Sequence, residues 1–257
     1  MDFKTISVIG LGYIGLPTAA MFASRGTNVV GVDISTNVVK TINEGNIHIV
    51  EPKLGDLVRE AVVGGTLKAT EIPKPADVFL IAVPTPVCES KTKGVEPDLS
   101  FIQKACESIA SVLKSNDLII LESTSPVGTT EKMCDWLRKL RPDLIFPEPG
   151  SKNPKDISVA YCPEKVLPGK IIDELVENDR VLGGITKNCA KRAADLYSIF
   201  VKGSFHLTDA RTAEMVKLTE NASRDVQIAF ANELSLICDE QDIDVWELIR
   251  LANQHPR

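Results

Sequence analysis

The sequence predicts an α/β fold: a doubly wound, mostly parallel sheet followed by a long helix of a truncated central helical region. Three observations predict it. Short apolar runs alternate with stretches of helical period over the first two-thirds of the chain. A glycine-rich loop follows the first run directly, and the stretch from Asp209 to Gln241 holds neither glycine nor proline.

The runs Thr5–Ile9, Asn28–Val32, Val78–Val83, Leu118–Leu121, Ser158–Tyr161 and Arg180–Gly183 read as strands. Pro17–Ser24, Thr36–Glu44, Leu99–Leu113, Thr130–Leu140 and Asn188–Phe200 read as helices between them. Nearly continuous apolar strands joined by helices belong to a parallel sheet covered on both faces, and right-handed crossovers make it doubly wound. Asp209 with Thr212 supplies capping groups for the long helix, and a short helix follows over Val245–Ala252. These elements divide into a nucleotide-binding domain over 1–207 and a helical, dimerising region over 208–257. The ending HPR has no closing element, which predicts a truncated chain.

The 257 residues are 44% hydrophobic and 25% charged, with a net charge of -6. That balance excludes a general polyanion binder, and no basic-aromatic interleaving points to nucleic acid. No apolar run is long enough for a bilayer and no secretory leader is visible, so the expected compartment is cytoplasmic. Six scattered cysteines lack CxxC or metal-ligand spacing; they read as reduced, mostly buried thiols, and no metal site is expected.

Gly10-Leu11-Gly12-Tyr13-Ile14-Gly15 is a GxGxxG loop between a strand and a helix. Gly10, Gly12 and Gly15 serve the tight turn, the backbone approach to a pyrophosphate and close helix-strand packing. Asp33 ends the second strand near the spacing of about 20 residues at which an acid binds the adenosine ribose. A carboxylate there repels a 2′-phosphate, so a Rossmann-like site for NAD is expected rather than one for NADP. Two more loops leave strand carboxyl ends, where ligands bind in open α/β sheets. Thr85 sits between two prolines after the third strand. Glu122-Ser123-Thr124-Ser125-Pro126-Val127-Gly128-Thr129-Thr130 follows the fourth, and its hydroxyls suit either helix capping or the nicotinamide half.

On the long helix, Lys217, Asn221 and Arg224 stand at i, i+4 and i+7, on one stripe. An ammonium, an amide and a guanidinium suit an anionic substrate with a reacting oxygen; a solvated helix face is the plainer reading. Glu214 and Glu220 nearby suit ordinary surface pairs. Cys162, in the run Cys162-Pro163-Glu164-Lys165-Val166-Leu167-Pro168-Gly169, is expected to be packed rather than reactive. His48 and Glu51 read as loop-structural.

Taken in order, the glycine loop, PTP, ESTSPVG, YCPEKVLPG, NDRVLGG and KLTENASRDVQIAFANE resemble the UDP-glucose/GDP-mannose dehydrogenase superfamily along essentially the whole chain. VLPG and the stretch ending VWELIRLANQHPR resemble its UDP-N-acetyl-sugar branch. The resemblance implies four-electron oxidation of the C6 alcohol of a UDP-N-acetylhexosamine, foremost UDP-N-acetyl-D-mannosamine, to a uronic acid for bacterial surface polysaccharide, with NAD as cofactor. It implies that Tyr13, Ile14, Asp33, Thr85 and Thr130 hold NAD and that Thr124 lies near the reacting centre. It makes Lys217 the acid/base or oxyanion residue, with Asn221 and Arg224 on the substrate. Glu164, Lys165 and Val166 line the sugar site, and His255 and Arg257 meet substrate near the chain's end. A homodimer through the long helix is expected.

Two departures stand out. Pro168 occupies the place of a second glutamate of the UDP-glucose branch. The family's nucleophilic cysteine segment and its C-terminal UDP-binding domain are not among these residues, so this chain alone is expected to be inactive. A two-electron β-hydroxyacid-type dehydrogenase shares the Lys217–Asn221 spacing but leaves ESTSPVG and CPEKVLPG unexplained. A non-catalytic NAD-binding or dimerisation fragment is the other reading.

Overall fold

A computed structural model describes residues 3–90, 94–150 and 156–254. The chain divides into two compact units, 1–215 and 216–257.

The first unit is built on eight strands: β1 (Thr5–Ile9), β2 (Asn28–Val32), β3 (Leu67–Thr70), β4 (Val78–Ile81), β7 (Leu118–Leu121), β8 (Ser158–Tyr161), β9 (Arg180–Gly184) and β10 (Phe205–Asp209). A separate antiparallel hairpin, β5 (Val87–Ser90) with β6 (Gly94–Pro97), follows β4. The sheet order is β10-β9-β8-β7-β4-β1-β2-β3. From β3 to β8 all neighbours are parallel; β9 joins β8 antiparallel, and β10 then runs parallel to β9. From β1 the chain moves outward through β2 to β3 and then returns to β4 on the other side of β1. That reversal is the topological switch point, and the loops after β1 and β4 flank it.

Every residue of β4, β7 and β8 is buried, as strands covered on both faces require. One face carries α1 (Gly15–Ser24), α2 (Thr36–Asn43), α3 (Leu54–Val63), α6 (Ile171–Glu177) and α7 (Lys187–Tyr197), packed through Phe22, Leu54, Leu196 and Phe200. The other carries α4 (Ser100–Ala110) and α5 (Thr129–Leu140), packed through Ile102, Ile109, Met133 and Leu137. Ala210 and Ala213, at the start of α8 (Ala210–Glu240), complete that second cluster. Asp209 caps α8, accepting the Thr212 amide at 2.9 Å and its hydroxyl at 2.7 Å.

All six expected strands form, and so do the seven expected helices, to within a few residues at their ends. Among the described residues, four strands and two helices go beyond the expectation: β3, β5, β6, β10, α3 and α6.

The second unit holds the remainder of α8 and α9 (Val245–Ala252). Asp242, in the left-handed region at φ 56°, ends the long helix, and the Asp244 side chain caps α9 by accepting the Trp246 amide at 2.9 Å. Val226, Phe230, Leu236, Ile237, Trp246 and Leu251 are exposed. Among the described residues no helix is long and apolar enough to cross a membrane.

Candidate functional site

The glycine loop turns out of β1 with Gly10 at φ 92°. A Cβ on Gly10 would stand 2.6 Å from the Ala82 carbonyl oxygen, so only glycine lets β1 and the chain after β4 come this close. Gly12 differs: a Cβ there would meet nothing within 4 Å. Its backbone faces open space at the start of α1, whose N-cap residue, Ile14, supplies no side-chain cap. Backbone amides and the positive end of the helix dipole are therefore presented where a diphosphate fits. Tyr13 is exposed beside them.

Asp33 ties this loop to the end of β2. One carboxylate oxygen accepts the Leu11 amide at 3.0 Å and the other accepts the Ser35 amide at 2.9 Å. A carboxylate has about four acceptor positions. Two are used here, leaving capacity for a ribose diol.

The loops after β4 and β7 are stitched together. The Thr85 hydroxyl donates to the Thr124 carbonyl at 2.6 Å, and Ser123 donates to the Val83 carbonyl at 2.7 Å. Ser125 and Thr129 donate to the Ser123 and Pro126 carbonyls, both at 2.7 Å. None of these hydroxyls caps α5, whose N-cap residue is Gly128. Instead the Glu214 carboxylate, fully buried, accepts the Gly128 amide at 2.5 Å and the Thr130 amide at 2.8 Å. The expectation of surface pairing for Glu214 is thus corrected. It shares a helix face with the buried Ala210 and Ala213, and an acid on such a face was the available signal.

Behind the loop after β7 lies a buried polar cluster. Glu122 accepts the Tyr197 hydroxyl at 2.5 Å, while its other oxygen has no hydrogen-bond partner among the described residues. Burial pushes the Glu122 carboxyl up to about 7, against the Tyr197 hydrogen bond. Arg180, at the start of β9, donates to Glu164 at 2.6 Å, with both side chains almost entirely buried. Its guanidinium also lies 5.1 Å from the Tyr197 ring centroid, a cation-π contact. Cys162 is fully buried in this cluster, and burial raises its thiol to about 12. Burial raises the Cys106 thiol to about 12 as well, and lifts that of Cys134.

Glu164 uses its second oxygen on the Lys165 amide at 2.8 Å, so the carboxylate is committed to its own loop; Lys165 and Val166 beside it are half-buried. In the second unit, Lys217 and Asn221 are half-buried and Arg224 is exposed. His255 and Arg257 lie outside the described residues.

Residues 4–201 match the NAD binding domain of the UDP-glucose/GDP-mannose dehydrogenase family, and residues 211–257 match its central domain. The chain belongs to that family. A relative named UDP-N-acetyl-D-mannosamine dehydrogenase from Yersinia pestis is 62% identical over all of this chain and 60% of its own length. One named NDP-N-acetyl-D-galactosaminuronic acid dehydrogenase from Ralstonia nicotianae is 61% identical with the same coverage. The solved UDP-D-ManNAc dehydrogenase of Pyrococcus horikoshii superposes with a TM-score of 0.89 at 46% identity, over 98% of this chain and 58% of that one. The chain thus spans about 60% of the length of the curated relatives it matches. Family membership fixes the cofactor as NAD and identifies the glycine loop, with Asp33 beside it, as part of an NAD-binding domain.

Proposed function

We propose that this chain carries the NAD-binding and central parts of a nucleotide-sugar 6-dehydrogenase. The substrate is a UDP-N-acetylhexosamine, first UDP-N-acetyl-D-mannosamine, oxidised at C6 from alcohol to carboxylate for bacterial surface polysaccharide in the cytoplasm. The observation that carries this reading is the 62% identity, over the whole chain, to a relative named for that sugar nucleotide.

Bound NAD supplies the hydride acceptor. The chain's own residues do the rest. Gly12, Tyr13, Ile14 and the start of α1 hold the diphosphate, and Asp33 holds the ribose. Thr85 and Thr124 line the nicotinamide side, with the fully buried Thr130 backing them through Glu214 rather than facing the cofactor. The Thr85–Thr124 hydrogen bond supports treating their two loops as one wall. Lys217 takes the C6 hydroxyl proton or stabilises the oxyanion, Asn221 orients that oxygen and Arg224 meets the substrate's negative charge. Glu164, Lys165 and Val166, with His255 and Arg257, complete the sugar site.

Conversion of aldehyde to acid needs a nucleophile that forms a tetrahedral adduct. None of the six cysteines suits it. Five are buried, three of those with thiols raised by burial, and Cys88 sits exposed on the β5–β6 hairpin. These 257 residues by themselves therefore bind NAD but turn over little or nothing. The exposed apolar residues of the second unit support a homodimer through α8.

The test is turnover of UDP-N-acetyl-D-mannosamine by the chain extended to the relatives' length. Two NADH per sugar are expected, as a four-electron oxidation requires. One NADH with accumulating aldehyde would move the protein to the two-electron alternative.

A further inference from the structure

The stretch from Cys162 to Lys170 forms no helix or strand, yet its backbone is held from several sides. The Glu164 carboxylate joins Arg180 to the Lys165 amide. Glu174 accepts the Leu167 amide at 2.7 Å. At the far end, Glu51 accepts the Gly169 amide with one oxygen and the Ile171 amide with the other, both at 2.8 Å.

Glu51 comes from the loop between α2 and α3, in a distant part of the sequence, and it is only 5% exposed. A buried carboxylate costs free energy unless its oxygens are satisfied, and these two are satisfied by the amides of this one turn. Capping of the short helix α6 alone would need only a local Ser, Asn or Asp. A carboxylate reaching in from another element does more, because it fixes the turn relative to the nucleotide-binding core.

We propose that Glu51 is a positioning residue for the substrate: by holding Gly169 and Ile171 it sets where Lys165 and Val166 meet the sugar. This rests on the functional reading above. Glu51 is almost entirely buried with both oxygens on these two amides, so it acts through the turn. Its effect belongs to ground-state and transition-state binding of the sugar alike, so it appears in the sugar KM rather than in kcat.

Glu51→Gln keeps the side-chain shape but leaves only one acceptor oxygen for two amides. In the chain extended to the relatives' length, the sugar KM rises about tenfold, with kcat and the NAD KM within about twofold of the parent. In the chain itself, the Gly169 and Ile171 amides exchange hydrogen faster in the variant, while NADH affinity is unchanged. Faster exchange with an unchanged sugar KM would overturn the proposal, because the turn would have been released without consequence. So would a fall in kcat and Tm at constant KM, the mark of a purely structural residue. A parent enzyme that turns over no UDP-N-acetylhexosamine would overturn the functional reading itself, an outcome visible before any variant is made.

Discussion

Thr130 donates both its backbone amide, at 2.8 Å, and its hydroxyl, at 2.6 Å, to the buried carboxylate of Glu214. The N-terminus of α5 is thus closed by an anion that the protein itself provides. Thr130 is itself fully buried, and both of its donors are committed to this carboxylate. Glu214→Ala strands the Gly128 and Thr130 amides and the Thr130 hydroxyl in a buried setting. The expected loss is roughly 2–3 kcal/mol, or about 5–10 °C in Tm. Thermal melts of parent and variant check it, and a Tm within a degree or so of the parent would mean that water replaces the carboxylate at little cost.

Asp33 serves two ends at once. Its carboxylate holds the Leu11 and Ser35 amides, and in the proposed site it is also the group that disfavours a 2′-phosphate. Fluorescence titration of this chain should show NADH bound at least about tenfold more tightly than NADPH. Asp33→Ala loosens the glycine loop and removes the repulsion together, so NADH affinity falls and the gap between the cofactors narrows. Equal affinities in the parent would remove Asp33 from cofactor choice.

Glu122 makes stability depend on pH in a predictable direction. Burial raises its carboxyl from 4.5 to about 7 among Tyr197, Cys162, Arg180 and Glu164, so the folded state retains a proton that the unfolded chain has released. Its contribution is fully present below pH 4.5 and is lost as pH rises through 7, an order of roughly 3 kcal/mol. Glu122→Gln keeps an acceptor for the Tyr197 hydroxyl and cannot ionise. The difference between parent and variant melts should therefore change steadily across that window. A constant difference would show that Glu122 is ionised throughout.

The sequence made the sheet's centre legible because its signal is local. LIIL and SVAY are short and wholly buried, the first entirely apolar and the second apolar but for the Ser158 and Tyr161 hydroxyls. β3 and β10 lie at the two edges of the sheet, where partly exposed patterns such as LKAT and FHLTD carry little apolar periodicity. α3 begins after Lys53 at φ 67°, with a glycine in its first turn and no side-chain cap, and α6 is only seven residues long. In the site, the glycine loop and Asp33 were readable as a motif. Glu51 and Arg180 were not, because each acts on groups brought near only by the fold, and Glu214 left only the signal of an acid on a buried helix face.

The second unit offers a test of assembly. Val226, Phe230, Leu236 and Ile237 on α8, with Trp246 and Leu251 on α9, are more than half exposed. A two-fold interface through α8 would bury on the order of 1,200 Å² or more. Sedimentation at micromolar concentration should give a dimer, and Phe230→Asp should shift it to monomer. A parent that stays monomeric at high micromolar concentration would refute this arrangement.

The chemical prediction turns on Lys217. Removing hydride from the C6 alcohol requires that the hydroxyl proton leave or that the oxygen's charge be stabilised; a lysine can do the first as the neutral amine and the second as the ammonium. Lys217 is half-buried, and Asn221, also half-buried, follows one helical turn later on the same stripe of α8. In the chain extended to the relatives' length, Lys217→Ala should lower turnover by roughly two orders of magnitude or more while NADH affinity stays the same. Asn221→Ala should cost less, since an amide that only directs the oxygen carries no charge. Initial rates with each variant at saturating NAD provide the comparison. If Lys217→Ala kept near-normal turnover, the proton would have to go to another group, and Lys217 would be reduced to a contact on the substrate.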